Sequence, residues 1–171
     1  MEVVVQHSFN RATEEASILW AIASSQYPLQ NKLIQLHIVA QTIEVVSAFA
    51  LNARRVVERL PKTEKFNLSS RRWDWQPTSK MNKVNDFVDA LNHIIHAKTL
   101  EVGMEKLPEK VSVIDGGAVC IPYVLASTDR KDKAYIDPFA LAHCFYYQVT
   151  MVAQKSLSLT NFSTRQELSL S

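Results

Sequence analysis

The sequence predicts a mainly α fold: an antiparallel bundle of about four helices, with a small β-hairpin or meander inserted before the last one. Three observations carry that prediction. Between Leu29 and Leu60, Val39, Ile43, Val46, Ala50, Ala53, Val57 and Leu60 recur at alternating steps of four and three, which places them on one helical stripe. The segments around 10–26, 82–100 and 138–156 carry apolar stripes that could cover it. Three glycines and six prolines in 171 residues are too few for a turn-rich all-β chain.

Residues 1–9, MEVVVQHSF, read as a short extended arm. Asn10 to Gln26 follows as a helix. Asn10 or Thr13 can cap it, and Glu14 and Glu15 lie in its first turn, where the positive end of the helix dipole favours acids. Ile18, Leu19 and Ile22, with Trp20 as a further candidate, form its buried side. The long helix comes next. Pro28 can only stand at its start and Pro61 marks its stop, because proline lacks an amide proton and clashes with the preceding turn. At about 1.5 Å per residue it is roughly 45 Å long. Such a helix cannot bury its stripe alone, so the rest of the chain or a partner subunit must cover it.

Lys62 to Lys80 is polar, with Pro77 and a Ser pair, and reads as a long loop of the kind that is functional or mobile. Helix three spans Asn82 to Leu100, with Val84, Phe87, Val88, Leu91, Ile94 and Ile95 as its stripe. Gly103 and Pro108 end it. Lys110 to Ile114 is short and β-branched, Asp115-Gly116-Gly117 is a turn signal, and Ala118 to Thr128 is a second extended run. Pro122 within that run predicts an edge position or a bulge. Asp129 to Lys133 is a polar turn, and Ala134 to Ile136 a third short strand, so the β insert covers about 110–136. Asp137-Pro138 then opens the last helix as cap and first residue. It runs to about Ser156 with Phe139, Ala142, Phe145, Tyr146, Val149 and Val152 inward. Residues 1–156 form one domain and 157–171 a flexible C-terminal tail.

Hydrophobic residues make up 47% and charged residues 21%, which allows a sizeable core and excludes global disorder. A net charge of +2 is too mild to point to nucleic acid by itself. Cys120 and Cys144 have neither metal spacing nor a disulfide framework and read as two buried reduced thiols. Residues 1–10 lack a basic stretch followed by an apolar run, and no stretch of about 18 uncharged apolar residues occurs. The expectation is a cytoplasmic chain with no membrane span, no metal and no cofactor. Phosphate loops, GxGxxG, GxSxG and CxxC are all absent.

Chemistry could sit at three places. Asn92 and His96 are four apart, and His93 and His96 three apart, so on a helix they share a surface. Two His at that spacing could hold a metal, yet only Asp89 is placed to join them and no HExxH pattern occurs. A satisfied structural His and a polar site in which His96 moves protons are the other readings. Asn52, Arg54, Arg55, Glu58 and Arg59 form a charged end on the long helix, either a solvated face paired to Glu58 or one wall of a site beside Asn92 and His96. Arg71-Arg72-Trp73-Asp74-Trp75 interleaves cations and aromatics. Such a run could bind phosphates and stack on unpaired bases; alternatively one or both Trp fold back onto the helices and the Arg stay in water.

Leu51-Asn52-Ala53-Arg54-Arg55-Val56-Val57-Glu58, late in the long helix, resembles the Ala-Arg-Arg helix of bacterial HEPN-like proteins. Leu91-Asn92-His93-Ile94-Ile95-His96-Ala97 is similar to a helix of some of their relatives. The resemblance covers about residues 35–100. It implies a helical bundle, often dimeric, of the kind common in toxin–antitoxin and phage-defence systems. Many members are metal-independent ribonucleases with an Arg-x4–6-His motif on one helix, assembled across a dimer. In this chain no Arg is followed by His at that distance on the same helix, so Arg55 and His96 could meet only through space.

The expectation is therefore a HEPN-like domain that acts by binding RNA, a nucleotide or a partner protein. Arg71, Arg72, Trp73, Trp75 and Arg54 would face nucleic acid. In a ribonuclease variant, His96 is the general acid or base, Arg55 stabilises the phosphorane charge and Asn92 completes the site. A structural homodimer built on the long helix is a second reading. A small-molecule pocket near Tyr123, Tyr135 and His143 is a third.

Overall fold

The structure, a computed structural model, describes residues 2–77 and 81–159. It runs α1 (Glu2–Ser24), β1 (Tyr27–Pro28), α2 (Lys32–Val57), β2 (Asn82–Lys83), α3 (Phe87–Ile95), β3 (Thr99–Lys106), β4 (Ala118–Ser127) and β5 (Ala134–Ile136). A last helix follows: α4 (Pro138–Cys144) continues through a π-helical turn (Phe145–Val149) into α5 (Thr150–Leu157). The expected bundle with an appended hairpin is thereby corrected. The strands form one mixed five-stranded sheet with the helices packed on it. β4 is central: β3 pairs antiparallel along one side, β1 and β5 share the other, and β2 adds parallel to β5.

Three local differences produce that correction. First, residues 3–9 are helical rather than extended. Val5, Phe9, Ala12, Ala16, Leu19 and Ala23 are buried at steps of four and three, so packing overrides the β preference of the valine run. Second, helix three is shorter at both ends. Asp86 stops it on the N-terminal side, because its Oδ1 accepts the Asp89 amide at 2.8 Å. On the far side Thr99 to Lys106 joins the ladder as β3. Thr99 and Glu101 are exposed and Leu100 and Val102 half-buried, an alternation of period two. Third, the hairpin partner of β4 is therefore β3 and not Lys110–Ile114, which lies in the connecting loop.

Other expectations hold. The register skips between Gly103 and Glu105, so Ile121 and Pro122 stand opposite Met104 alone. Pro122 sits in a bulge, where its missing amide costs no ladder bond. Asp137 caps α4 by accepting the Phe139 and Ala140 amides at 2.8 and 3.1 Å, with Pro138 following it. Cys120 and Cys144 are free and buried, and burial pushes their thiols up to about 11 and about 12.

The core lies between the helices and one face of the sheet. Phe49 is its hub: its ring meets Phe87 at 6.2 Å and Phe145 at 5.5 Å, both edge-on. Val124, Ala126 and Ile136 bring the sheet into the same cluster. On α2, Val46, Ala50 and Ala53 of the expected stripe are buried, as is Leu60 just beyond its end, while Val39, Ile43 and Val57 are half-buried. No residue from Lys32 to Gln41 is buried. By length and composition alone α2 is apolar enough to cross a membrane, although its second half is packed as a core helix is.

The loop after α2 is pinned rather than loose over its described part. Phe66, Leu68 and Trp73 are buried, and the Gln148 side chain clasps the Asn67 backbone at both its amide and its carbonyl. Residues 78–80 of that loop and 160–171 of the expected tail lie outside the described residues.

Candidate functional site

Two polar clefts meet at α3. The first, about 480 Å³, is walled by Asn92, His93 and His96 at the end of α3 and by Thr128 to Lys131 of the turn between β4 and β5. The second, about 550 Å³, runs back toward the start of α3 and shares His93, Arg130 and Lys131 with the first. Long-range pairing creates this arrangement. The β4–β5 ladder fixes the turn, and the Lys131 ammonium reaches the Asp89 carboxylate at 2.8 Å, stapling the turn to α3. Thr128 Oγ1 accepts the Lys131 amide at 3.0 Å and stiffens the turn from within.

His93 is the most constrained of these side chains, only 5% exposed. Its Nδ1 lies 2.8 Å from the Asp89 carbonyl oxygen. A carbonyl only accepts, so Nδ1 carries a proton, with the Asp89 carboxylate 3.5 Å from the same nitrogen; in the neutral form of the ring Nε2 is then the acceptor. Nε2 has no partner among the described residues and is not sealed from solvent. His96 caps α3 through its backbone amide, and its imidazole is exposed at the cleft rim.

Sorting the cleft's groups by what already engages them gives its chemistry. Asp129 is paired to Lys98 at 3.3 Å, and Lys131 to Asp89. The Arg130 guanidinium, the Asn92 amide and the His96 ring engage no partner among the described residues. The free groups are thus mostly donors, with one full positive charge. A cleft of this volume with a few convergent polar groups has the dimensions of a small-ligand site. Among the described residues no group of three His, Cys, Asp or Glu could hold a metal.

The structure brings together Asn92 and His96 of the residues singled out from sequence. Arg54 and Arg55 do not join them. Arg54 pairs with Glu58 on its own helix at 3.4 Å, Arg55 is exposed, and neither lines the cleft. The 71–75 run folds back. Trp73 is buried and its indole N–H donates to the Ala23 carbonyl at 2.7 Å, with the Arg72 guanidinium 4.2 Å above its ring. Trp75 stacks on Tyr123 with ring centroids 4.2 Å apart and meets Tyr135 edge-on at 5.6 Å. Arg71 pairs with Asp74 at 3.3 Å. Trp75 thus fills the space over Tyr123 and Tyr135. His143 belongs to a separate cluster, stacked on Tyr147 at 4.5 Å with Ser70 Oγ 3.3 Å from its Nε2.

Arg130, Lys131 and Thr128 were not singled out as site residues. In sequence they are an ordinary polar turn, and only the ladder that carries that turn over α3 gives them a role. Compared with known protein families, curated proteins and solved structures, the chain matches none.

Proposed function

We propose that this is a binding domain whose first cleft takes an anionic, phosphate-bearing group, carried by a nucleotide or by RNA. The observation that supports it is the convergence of an unengaged Arg130 guanidinium, the Asn92 amide and the His96 imidazole on one cleft. A phosphate has the acceptors these donors need, and a guanidinium meets it with two parallel hydrogen bonds. The short runs that resemble HEPN-like proteins make RNA the polymer to test. RNA cleavage by His96 with Arg55 lacks its second residue at the cleft, whose unpaired cation is Arg130. The test is binding of inorganic phosphate and of single-stranded RNA at several salt concentrations. Arg130→Ala should abolish the saturable phosphate binding and flatten the salt dependence; unchanged binding by that variant would refute the assignment.

A second reading, a homodimer formed through α2, is favoured by one observation. Leu33, Leu36 and Leu51 are 79%, 68% and 50% exposed on one side of that helix. The mass in solution tests it: Leu36→Glu should return a dimer to monomer without loss of helix content, and a wild-type protein that is monomeric at all concentrations would end this reading.

A further inference from the structure

The second cleft gives the phosphate reading a ligand class. Its wall is Asn82, Lys83, Asn85, Asp86, Asp89 and Asp132, and its chemistry differs from that of the first. Asp86 gives one oxygen to its helix cap, and Asp89 gives one to Lys131. The Asp132 carboxylate and the Asn82 and Asn85 amides engage no partner among the described residues; the Lys83 ammonium makes no ion pair there, although its charge acts on the Asp137 carboxyl. Outside the Asp89–Lys131 pair the charges of this cleft, Asp86 and Asp132 against Lys83 and the shared Arg130, cancel. A second anion gains little here. Hydroxyl groups fit better, because a carboxylate accepts from them and an amide can both accept and donate.

His93 joins the two clefts. It is nine-tenths buried, lines both, and its Nε2 has no partner among the described residues. Nε2 is not sealed from solvent, so a ligand hydroxyl can take the place of water there. With Nδ1 fixed as donor to Asp89, the neutral ring offers Nε2 as acceptor to a hydroxyl lying across the boundary.

We infer that the paired clefts bind a phosphorylated sugar, with the phosphate at Arg130, Asn92 and His96 and the sugar hydroxyls at His93, Asp132 and Asn85. The inference rests on the phosphate reading above and adds the sugar. Mononucleotides and free sugar phosphates share this chemistry. A strand of RNA offers only one free hydroxyl per internal ribose and would use the second cleft poorly.

Calorimetric titration of the whole chain with three probes tests it: inorganic phosphate, ribose 5-phosphate and a short single-stranded RNA. Ribose 5-phosphate should bind at least about tenfold more tightly than phosphate, the worth of one charge-assisted hydrogen bond. Asp132→Asn, an exposed substitution outside the core, should bring that ratio toward unity, each affinity being measured in the same variant. Arg130→Ala should weaken both ligands. If phosphate and ribose 5-phosphate bind equally and both depend on Arg130, the anion site stands and the sugar inference is overturned. It is equally overturned if RNA is the tighter ligand, or if Asp132→Asn leaves the ratio unchanged. If neither small probe binds, the phosphate reading fails and the inference falls with it.

Discussion

Replacing Asp137 by Asn should change how stability depends on pH. Asp137 is partly buried at the start of α4, with its side chain accepting two backbone amides. Burial raises its carboxyl from an ordinary 3.8 to about 6, against the two amide hydrogen bonds and the nearby Lys83 and Arg71 charges, which act to lower it. The native state therefore holds this proton more tightly than the unfolded chain does. Stability from that proton is present in full below 3.8 and is lost as pH rises through about 6. At about 1.4 kcal/mol per pKa unit the swing has a ceiling of about 3 kcal/mol, and partial exposure reduces it toward 1 or 2. Asn keeps the capping oxygen and cannot ionise. Denaturant unfolding of both proteins at several pH values should show similar stabilities near pH 4 and an advantage for Asp137→Asn of about 1–3 kcal/mol near pH 7. Parallel curves, with no growth of the difference between those limits, would refute the burial argument. An Asn variant that is less stable at neutral pH would do so more strongly.

Phe49→Ala should destabilise the fold by about 3–5 kcal/mol, seen as a large drop in the denaturant midpoint, because the ring is fully buried and meets two other phenylalanines. A Cβ at Gly103 would lie 2.1 Å from the Tyr123 ring. Gly103→Ala should therefore swing Tyr123 away, remove its stack with Trp75 at a cost of about 0.5–1.5 kcal/mol, and weaken the near-ultraviolet circular dichroism. An unchanged aromatic signal would show that the ring has no such constraint. Trp73→Phe should lose about 1–2 kcal/mol in chemical unfolding, since the Ala23 carbonyl loses its indole donor. Arg54→Ala and Arg55→Ala should leave both stability and phosphate affinity within about 0.5 kcal/mol of wild type, as expected for surface positions. A large loss of binding in either would return Arg55 to the site.

What could be read from the sequence was local. The stripe on α2, the cap and proline at Asp137-Pro138 and the bulge at Pro122 follow from backbone chemistry within a few residues, and each stands in the structure. Asn92 and His96 were legible for the same reason: one turn of helix sets their spacing. The sheet was harder. Thr99 to Lys106 begins four residues after the last residue of α3, and Val102, seven after Ile95, still falls on the helical stripe, so the switch from 3.6 to 2 is visible only once β4 is in place as its partner. The valine run at the N-terminus was misleading because burial of Val5 and Phe9, not propensity, decides its conformation. The far wall of the site had no local signal. Asp89 and Lys131 are 42 residues apart, and no spacing rule connects them. Arg55 does not line this cleft for the converse reason: a motif-like neighbourhood on α2 says nothing about which way that helix faces.

The measurement that bears most directly on the central claim is nuclear magnetic resonance of the imidazole and guanidinium side chains during titration with inorganic phosphate. Phosphate bound in the first cleft predicts saturable shifts at Arg130 and His96, a smaller one at His93, and none at His37 or Arg55, which lie outside the cleft. Shifts spread evenly over the surface cations, or centred on Arg71 and Arg72, would contradict it.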